Sequence, residues 1–254
     1  MGKRTAKLRL WAVLFWLAVW QLAAMALAAA YPHGSLLLAS PAAVLLRLGE
    51  LVMTASFWRT VGWSAARIFG GFLISTVLAV VLAALAAWKH WIRELLAPLV
   101  AVIKAVPVAS FIILALVWLN SRSLSLFISA LMVFPPVYLN VLEGIRRTDG
   151  QLLEMARVFR VPFSRRLRYI YLPQIMPYFR TAVSLGLGLC WKAGAAAEVI
   201  GLPSGSVGER LYTAKVYFQT PDLFAWTVTI VTVSALFERL FLSLTDWAAG
   251  KVGK

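Results

Sequence analysis

Long apolar stretches constrain this chain more than any other feature of its sequence. A stretch of about 20 apolar residues can cross the hydrocarbon core of a bilayer as a helix. Because an open sheet cannot satisfy its backbone hydrogen bonds in lipid, such stretches predict an all-α integral membrane fold with six transmembrane helices. The six windows lie at about 9–30, 66–88, 97–119, 124–144, 176–199 and 223–247.

Composition agrees with membrane insertion and argues against nucleic-acid binding. Of the 254 residues, 61% are hydrophobic and 14% are charged, whereas soluble domains are about 45–50% apolar and about 25% charged. The net charge of +15 lies mainly in short segments between the windows, and not on the basic face of a soluble fold. We therefore expect one membrane domain, residues 9–254, after a short cytoplasmic tail, residues 1–8.

The first window has two possible interpretations. It follows four basic residues and ends in "LAAA", as a secretory signal peptide would. Its apolar core runs for about 20 residues, however, which exceeds the roughly 7–15 of a signal peptide. We therefore expect a retained membrane anchor.

Basic residues are distributed unequally over the connections between the windows. Most lysines and arginines lie before the first window, after the second, after the fourth and after the sixth. Cytoplasmic loops carry such an excess of basic residues in membrane proteins. The sequence therefore predicts that both termini and the loop at 150–173 face the cytoplasm.

The loop at 150–173 has the pattern of two short amphipathic helices joined by a bend. Leu152, Ala156 and Phe159 recur at helical spacing, and Pro162 suits the first turn of a second helix. We expect Pro173 to end that helix before the fifth window. Periodicity alone leaves two possibilities: a hairpin whose arginines contact lipid phosphates, or a surface for a protein partner.

The residues of this loop resemble the cytoplasmic loop of bacterial ABC importer permeases. In that family a Glu-Ala-Ala start is followed by a glycine and, after nine residues, by Ile-x-Leu-Pro. Glu154 and Ala156 match the start, residues 170–173 match the end, and Arg160 replaces the glycine. The resemblance implies a coupling helix that inserts into a groove of the ATP-hydrolysing subunit. The expected contact residues are Glu154, Ala156, Arg157, Phe159, Arg160 and Pro162.

The resemblance extends over roughly residues 40–245. It is closest to the branch that imports nitrate, sulfonates, taurine and bicarbonate, on the stretch "KAVPVA" at 104–109 and the pair Ala197-Glu198. It implies a type I ABC importer permease in the bacterial cytoplasmic (inner) membrane. It also implies a homodimer, two ABC ATPase subunits inside, and an external solute-binding protein. ATP and Mg²⁺ would bind to the ATPase, and this chain would bind no cofactor.

Charged residues within apolar windows are costly and suggest function. Lys104 and Lys192 either extend to the membrane interface or favour a small anionic solute. With them, Pro107 and Glu198 are predicted to lie on the translocation pathway.

Small residues recur at every fourth position of the fifth window. This spacing lets helices approach closely, either within the chain or across a dimer axis. The stripe consists of Ala182, Gly186, Cys190 and Gly194.

Nothing in the sequence predicts catalysis or metal binding. A G-x-x-x-x-G-K-[ST] phosphate loop is absent, and the two histidines, His33 and His90, are far apart. We expect a transport subunit that is not an enzyme and takes its energy from another chain. The alternatives are a secondary transporter, which often shows inverted repeats that are not evident here, and a membrane-integral scaffold.

Overall fold

The computed structural model describes residues 10–252, apart from the side chains of 35 and 248–252. The predicted tail, residues 1–8, therefore lies outside the described residues. No strand occurs within the described range. The α-helices are α1 (Leu10–Ala30), α2 (Gly34–Leu37), α3 (Pro41–Val52), α4 (Ala55–Trp88), α5 (His90–Ala105), α6 (Val108–Ala115), α7 (Ser121–Arg146), α8 (Gly150–Val158), α9 (Phe163–Arg166), α10 (Leu172–Gly201), α11 (Val207–Val216) and α12 (Thr220–Val252).

The predicted all-α membrane fold is confirmed. Among the described residues, five helical segments are long and apolar enough to cross a membrane: α1, α4, α7, the segment 163–201 and α12. A sixth candidate consists of α5 and α6, which are bent by 104° at the break between them. The protein is therefore a multi-pass membrane protein.

The third window, 97–119, is not one helix. Its α5 ends at Ala105, and Val106 is extended, with ψ of 132°. A proline disfavours the helical conformation of the residue before it, so Pro107 accounts for the break after Ala105. Pro107 then precedes α6 directly as its N-cap residue.

The core of the bundle lies where α7 packs between α4 and α10. On α4, a Cβ atom at Gly71 would lie 2.3 Å from the carbonyl oxygen of Leu126 on α7. On α10, a Cβ atom at Gly194 would lie 2.6 Å from Ile68 Cγ1 on α4. The absence of a side chain at both glycines thus allows the helices to pack this closely.

Connections lie at two opposite ends of the bundle because the long helices alternate in direction. The loop end carries α8, α9 and the turn between α4 and α5, whereas the far end carries α2, α3, α11 and the start of α12. At the far end, Arg47 of α3 donates hydrogen bonds to Asp222 of α12 and to Glu50. These carboxylates, Asp222 foremost, raise the pKa of Arg47 above its ordinary value. This ion pair joins α3 to α12.

The helix at the loop end continues into the fifth span, which corrects the expectation for Pro173. Residues 163–201 form one helical segment of 39 residues, with a π-helical turn at Leu167–Tyr171. The wider turn ends with the Leu172 N–H bonded to the Leu167 carbonyl. Such turns accommodate an irregularity in the hydrogen-bond ladder, so Pro173, which has no N–H, does not end the helix.

Candidate functional site

The loop at 150–173, called the coupling loop after the role that the resemblance implies, presents an apolar ridge at the loop end. Within α8, Ala156 is buried, whereas Met155 and Val158 are exposed. Phe159 and Phe163, on either side of the bend, are 75% and 65% exposed. We call these four exposed side chains the loop ridge. Large apolar groups exposed together in this way mark an interaction surface.

The bend behind the loop ridge is a Schellman turn, in which the N–H groups after a helix bond back to its last carbonyls. The Val161 N–H bonds the Ala156 carbonyl at 2.8 Å, and the Arg160 N–H bonds the Arg157 carbonyl at 3.0 Å. Arg160 has a φ of +49°, in the left-handed region. Glycine adopts this conformation without steric cost, so the glycine of the family pattern, which Arg160 replaces, would suit this turn.

The start of α8 is fixed to the fifth span. The Asp149 side chain accepts a hydrogen bond from the Gln151 N–H at 2.8 Å, as an N-cap does. The Asp149 N–H donates to Gln174 Oε1 of α10, also at 2.8 Å. Glu154, Arg157 and Pro162 are exposed nearby. Of the six predicted contact residues, Ala156 is thus the buried one.

The two lysines of the predicted membrane windows lie on different helices. Lys104 stands just before the α5–α6 break, and Lys192 lies on α10; both are exposed, as is Pro107. Residue Ala193, next to Lys192, packs against Ile112 of α6. Lys192 therefore lies beside the segment that follows the break.

Glu198, unlike the two lysines, is buried. It is 1% exposed and accepts a hydrogen bond from Ser64 Oγ of α4 at 2.6 Å. Its Oε2 also lies 3.4 Å from the Gly208 N–H of α11, and its Oε1 lies 4.0 Å from Arg67 Nη1. The described contacts of Glu198 are thus within the chain.

The sequence did not identify Ser64, Arg67 and Gly208 as partners of Glu198. The second window, at about 66–88, does not include Ser64. In the structure α4 begins at Ala55. A signal was present, since a carboxylate in an apolar helix needs hydrogen-bond donors from its neighbours.

The small-residue stripe packs inside the chain. Ala182, Gly186, Cys190 and Gly194 are all buried. Gly186 faces Val133 of α7 and Phe72 of α4. Of the two interpretations of the stripe, these contacts match packing within the chain.

The bundle of membrane-length helices, with a helical loop exposed at one end, defines a multi-pass membrane protein with an exposed apolar ridge. A family of binding-protein-dependent transport system inner membrane components matches residues 79–253, more than half of the chain. The chain belongs to this family and is the permease subunit of an ABC importer.

Three relatives illustrate the range of the family. SsuC of Escherichia coli, whose name assigns it to aliphatic sulfonates transport, is 30% identical over 233 residues, 89% of this chain and 87% of SsuC. The bicarbonate transport system permease CmpB of Synechococcus elongatus is 27% identical over 194 residues, 75% of this chain and 69% of CmpB. The riboflavin transport system permease RibX of Chloroflexus aurantiacus is 27% identical over 227 residues, 86% of this chain and 82% of RibX.

Proposed function

We propose that this permease subunit passes a small anionic solute across the bacterial cytoplasmic membrane. The observation that carries the proposal is the exposed pair of lysines at membrane depth. Neither Lys104 nor Lys192 forms an ion pair within the part of the chain that the structure describes. A lysine facing hydrocarbon is costly, whereas one that faces a water-filled pathway is solvated and attracts anions. The names of the sulfonate and bicarbonate relatives support an anion.

The pathway forms between two identical copies of the chain. The face of α10 that carries Lys192 also exposes Leu185 and Leu189. A second copy covers these leucines and leaves the lysines toward the space between the subunits. A homodimer thus accounts for an apolar face that contains cations.

The loop ridge docks on an ABC ATPase subunit. Its phenylalanines suit a helix-in-groove contact, in which apolar side chains fill a hydrophobic groove. Arg157, Arg160 and Arg165 are exposed around the ridge, so the groove has an acidic rim. ATP and Mg²⁺ bind to that ATPase, because this chain has no phosphate-binding loop, and the chain itself is not an enzyme.

The loop end faces the cytoplasm, and the far end receives the external solute-binding protein. Described basic residues of the loop end include Lys89, Arg93, Arg146, Arg147 and the arginines of the coupling loop. An excess of this kind marks the cytoplasmic side. The basic N-terminal tail, outside the described residues, reinforces it because α1 begins at the same end.

Co-purification tests the docking surface. The double variant Phe159→Asp, Phe163→Asp places two charges on the loop ridge, and we expect the co-expressed ATPase to be lost from the tagged permease. Phe218→Asp is the matched control, since Phe218 is 69% exposed at the far end, and it should retain the ATPase. Retention by the double variant, or transport in cells that lack every candidate ATPase, would contradict the proposal.

A further inference from the structure

A cluster of polar groups joins three elements at the far end. Ser64 Oγ donates to Glu198 at 2.6 Å and accepts the Val207 N–H at 2.9 Å. The same carboxylate lies near the Gly208 N–H and the Arg67 guanidinium. Glu198, Ser64, Arg67 and the first two residues of α11 are called the Glu198 cluster. The proposed pathway and docking surface do not use it.

The Glu198 cluster holds α11 in close contact with α10. A Cβ atom at Gly208 would lie 2.4 Å from Glu198 Cβ and from its carbonyl carbon, so only glycine allows this approach. Val207 is buried against Phe57, Val61 and Trp226. The carboxylate also faces the positive end of the α11 dipole, which stabilises it. The start of α11 is therefore anchored by packing and by the hydrogen bonds of the Val207 and Gly208 N–H groups.

The same helical segment connects this cluster with the coupling loop. Residues 163–201 form one helical segment, which begins within the loop ridge at Phe163 and includes Glu198 near its far end. At about 1.5 Å per residue the 39 residues span roughly 58 Å. A displacement of the loop ridge can thus reach the far end along one helix.

A second carboxylate provides a comparison. Ser184 Oγ of α10 donates to Glu238 Oε1 of α12, also at 2.6 Å. This pair has the same chemistry and joins α10 to a neighbouring helix, but it does not contact α11. Variants of this pair therefore show the effect of losing a hydrogen bond between helices while the contacts of α11 remain.

We propose that the Glu198 cluster positions α11 so that it moves with α10 when the ATPase moves the loop ridge. Movement of α11 then opens and closes the proposed pathway at the far end of the bundle. Glu198 and Ser64 are positioning residues of the transport cycle. The inference rests on the proposed docking of an ATPase. It adds that α11 transmits the movement of the loop ridge to the far end.

A cysteine on α11 reports its movement. Cys190 is the chain's only cysteine and is buried, so Cys190→Ala removes any background. Lys215→Cys then places a thiol at an exposed position of α11. In nanodiscs that contain the permease and its ATPase, the maleimide labelling rate is measured without nucleotide and with ATP plus vanadate. We expect a labelling-rate ratio between the two states of at least about threefold in this parent.

Two pairs of variants test the cluster. Ser64→Ala and Glu198→Gln should bring the ratio close to one, while nucleotide hydrolysis continues. Ser184→Ala and Glu238→Gln should keep the parent ratio. Ser64→Thr, which retains the hydroxyl group, should restore it, and a general loss of folding would not show this rescue.

Several results would overturn the inference. These are an unchanged ratio in both cluster variants, an equal loss in both pairs, and a parent that hydrolyses ATP without any change in labelling. Failure of the proposed function looks different, since the ATPase would then not associate with the parent permease at all.

Discussion

At the scale of single residues, Arg160 adopts a backbone conformation that usually favours glycine. The Schellman turn after α8 requires a left-handed residue, and Arg160 supplies it with a φ of +49°. The left-handed conformation costs a non-glycine residue roughly 1–2 kcal/mol. The sequence revealed the departure from glycine at this position, but not that the turn is kept.

Replacing Arg160 tests this cost. Arg160→Gly should stabilise the turn by roughly 1 kcal/mol, because glycine adopts positive φ freely. Arg157→Gly should have the opposite effect by a similar amount, roughly 1 kcal/mol, because it places glycine inside α8. Hydrogen exchange of the Val161 amide, which bonds the Ala156 carbonyl, measures both effects. Faster exchange in Arg160→Gly would contradict the argument.

The charge of Lys192 can also be tested by replacing this single residue. Lys192→Met keeps a long side chain and removes the charge, so uptake of an anion should fall at least about tenfold, which corresponds to only about 1.4 kcal/mol. Labelled alkanesulfonate, bicarbonate and riboflavin are compared in cells with the parent protein and the variant. Arg239→Met, at an exposed cation of α12, is the control. Uptake of riboflavin alone, or unchanged anion uptake, would contradict the proposal.

At the scale of elements, the apolar windows predict which segments are long enough to cross the membrane, but they do not predict the helix boundaries. Windows depend on mean hydropathy, which registers neither the bend that Pro107 imposes nor the hydrogen bond between Glu198 and Ser64, which lies before the second window. The coupling loop was predicted as helical from its spacing. The helix continues past Pro173 because of a π-helical turn. The spacing of apolar residues does not predict such a turn.

Close packing of α4 on α7 gives a test with adjacent residues. Gly71→Ala would place a Cβ atom 2.3 Å from the Leu126 carbonyl oxygen, whereas the nearest atom to a Cβ at Gly70 is a Leu126 side-chain carbon at 3.8 Å. Overpacking typically costs about 1–3 kcal/mol. Gly71→Ala should therefore lower the thermal stability of the purified subunit, and Gly70→Ala should leave it unchanged. Equal stability of the two variants would contradict the close contact between α4 and α7 at Gly71.

At the scale of the whole molecule, the proposed homodimer would resolve an electrostatic problem that the exposed surface of one chain poses. A lysine at the bilayer centre costs about 2.5–3.5 kcal/mol on insertion scales, and the membrane windows contain two exposed lysines, Lys104 and Lys192. Within one copy the described residues supply no counter-charge for either lysine. If two copies meet along α10, the lysines face a shared aqueous space and the leucines beside them face protein.

This arrangement predicts which surface positions cross-link. In a Cys190→Ala background, Leu189→Cys lies on the Lys192 face of α10, and Val231→Cys lies on an exposed face of α12. A flexible bis-maleimide should join two copies through position 189 and should leave position 231 monomeric on denaturing gels. Both positions are exposed within one copy, so the comparison reports which of the two faces meets a second copy. Equal cross-linking at both positions, or none at 189, would contradict a dimer interface along α10. The lysines would then not face an aqueous space between two copies.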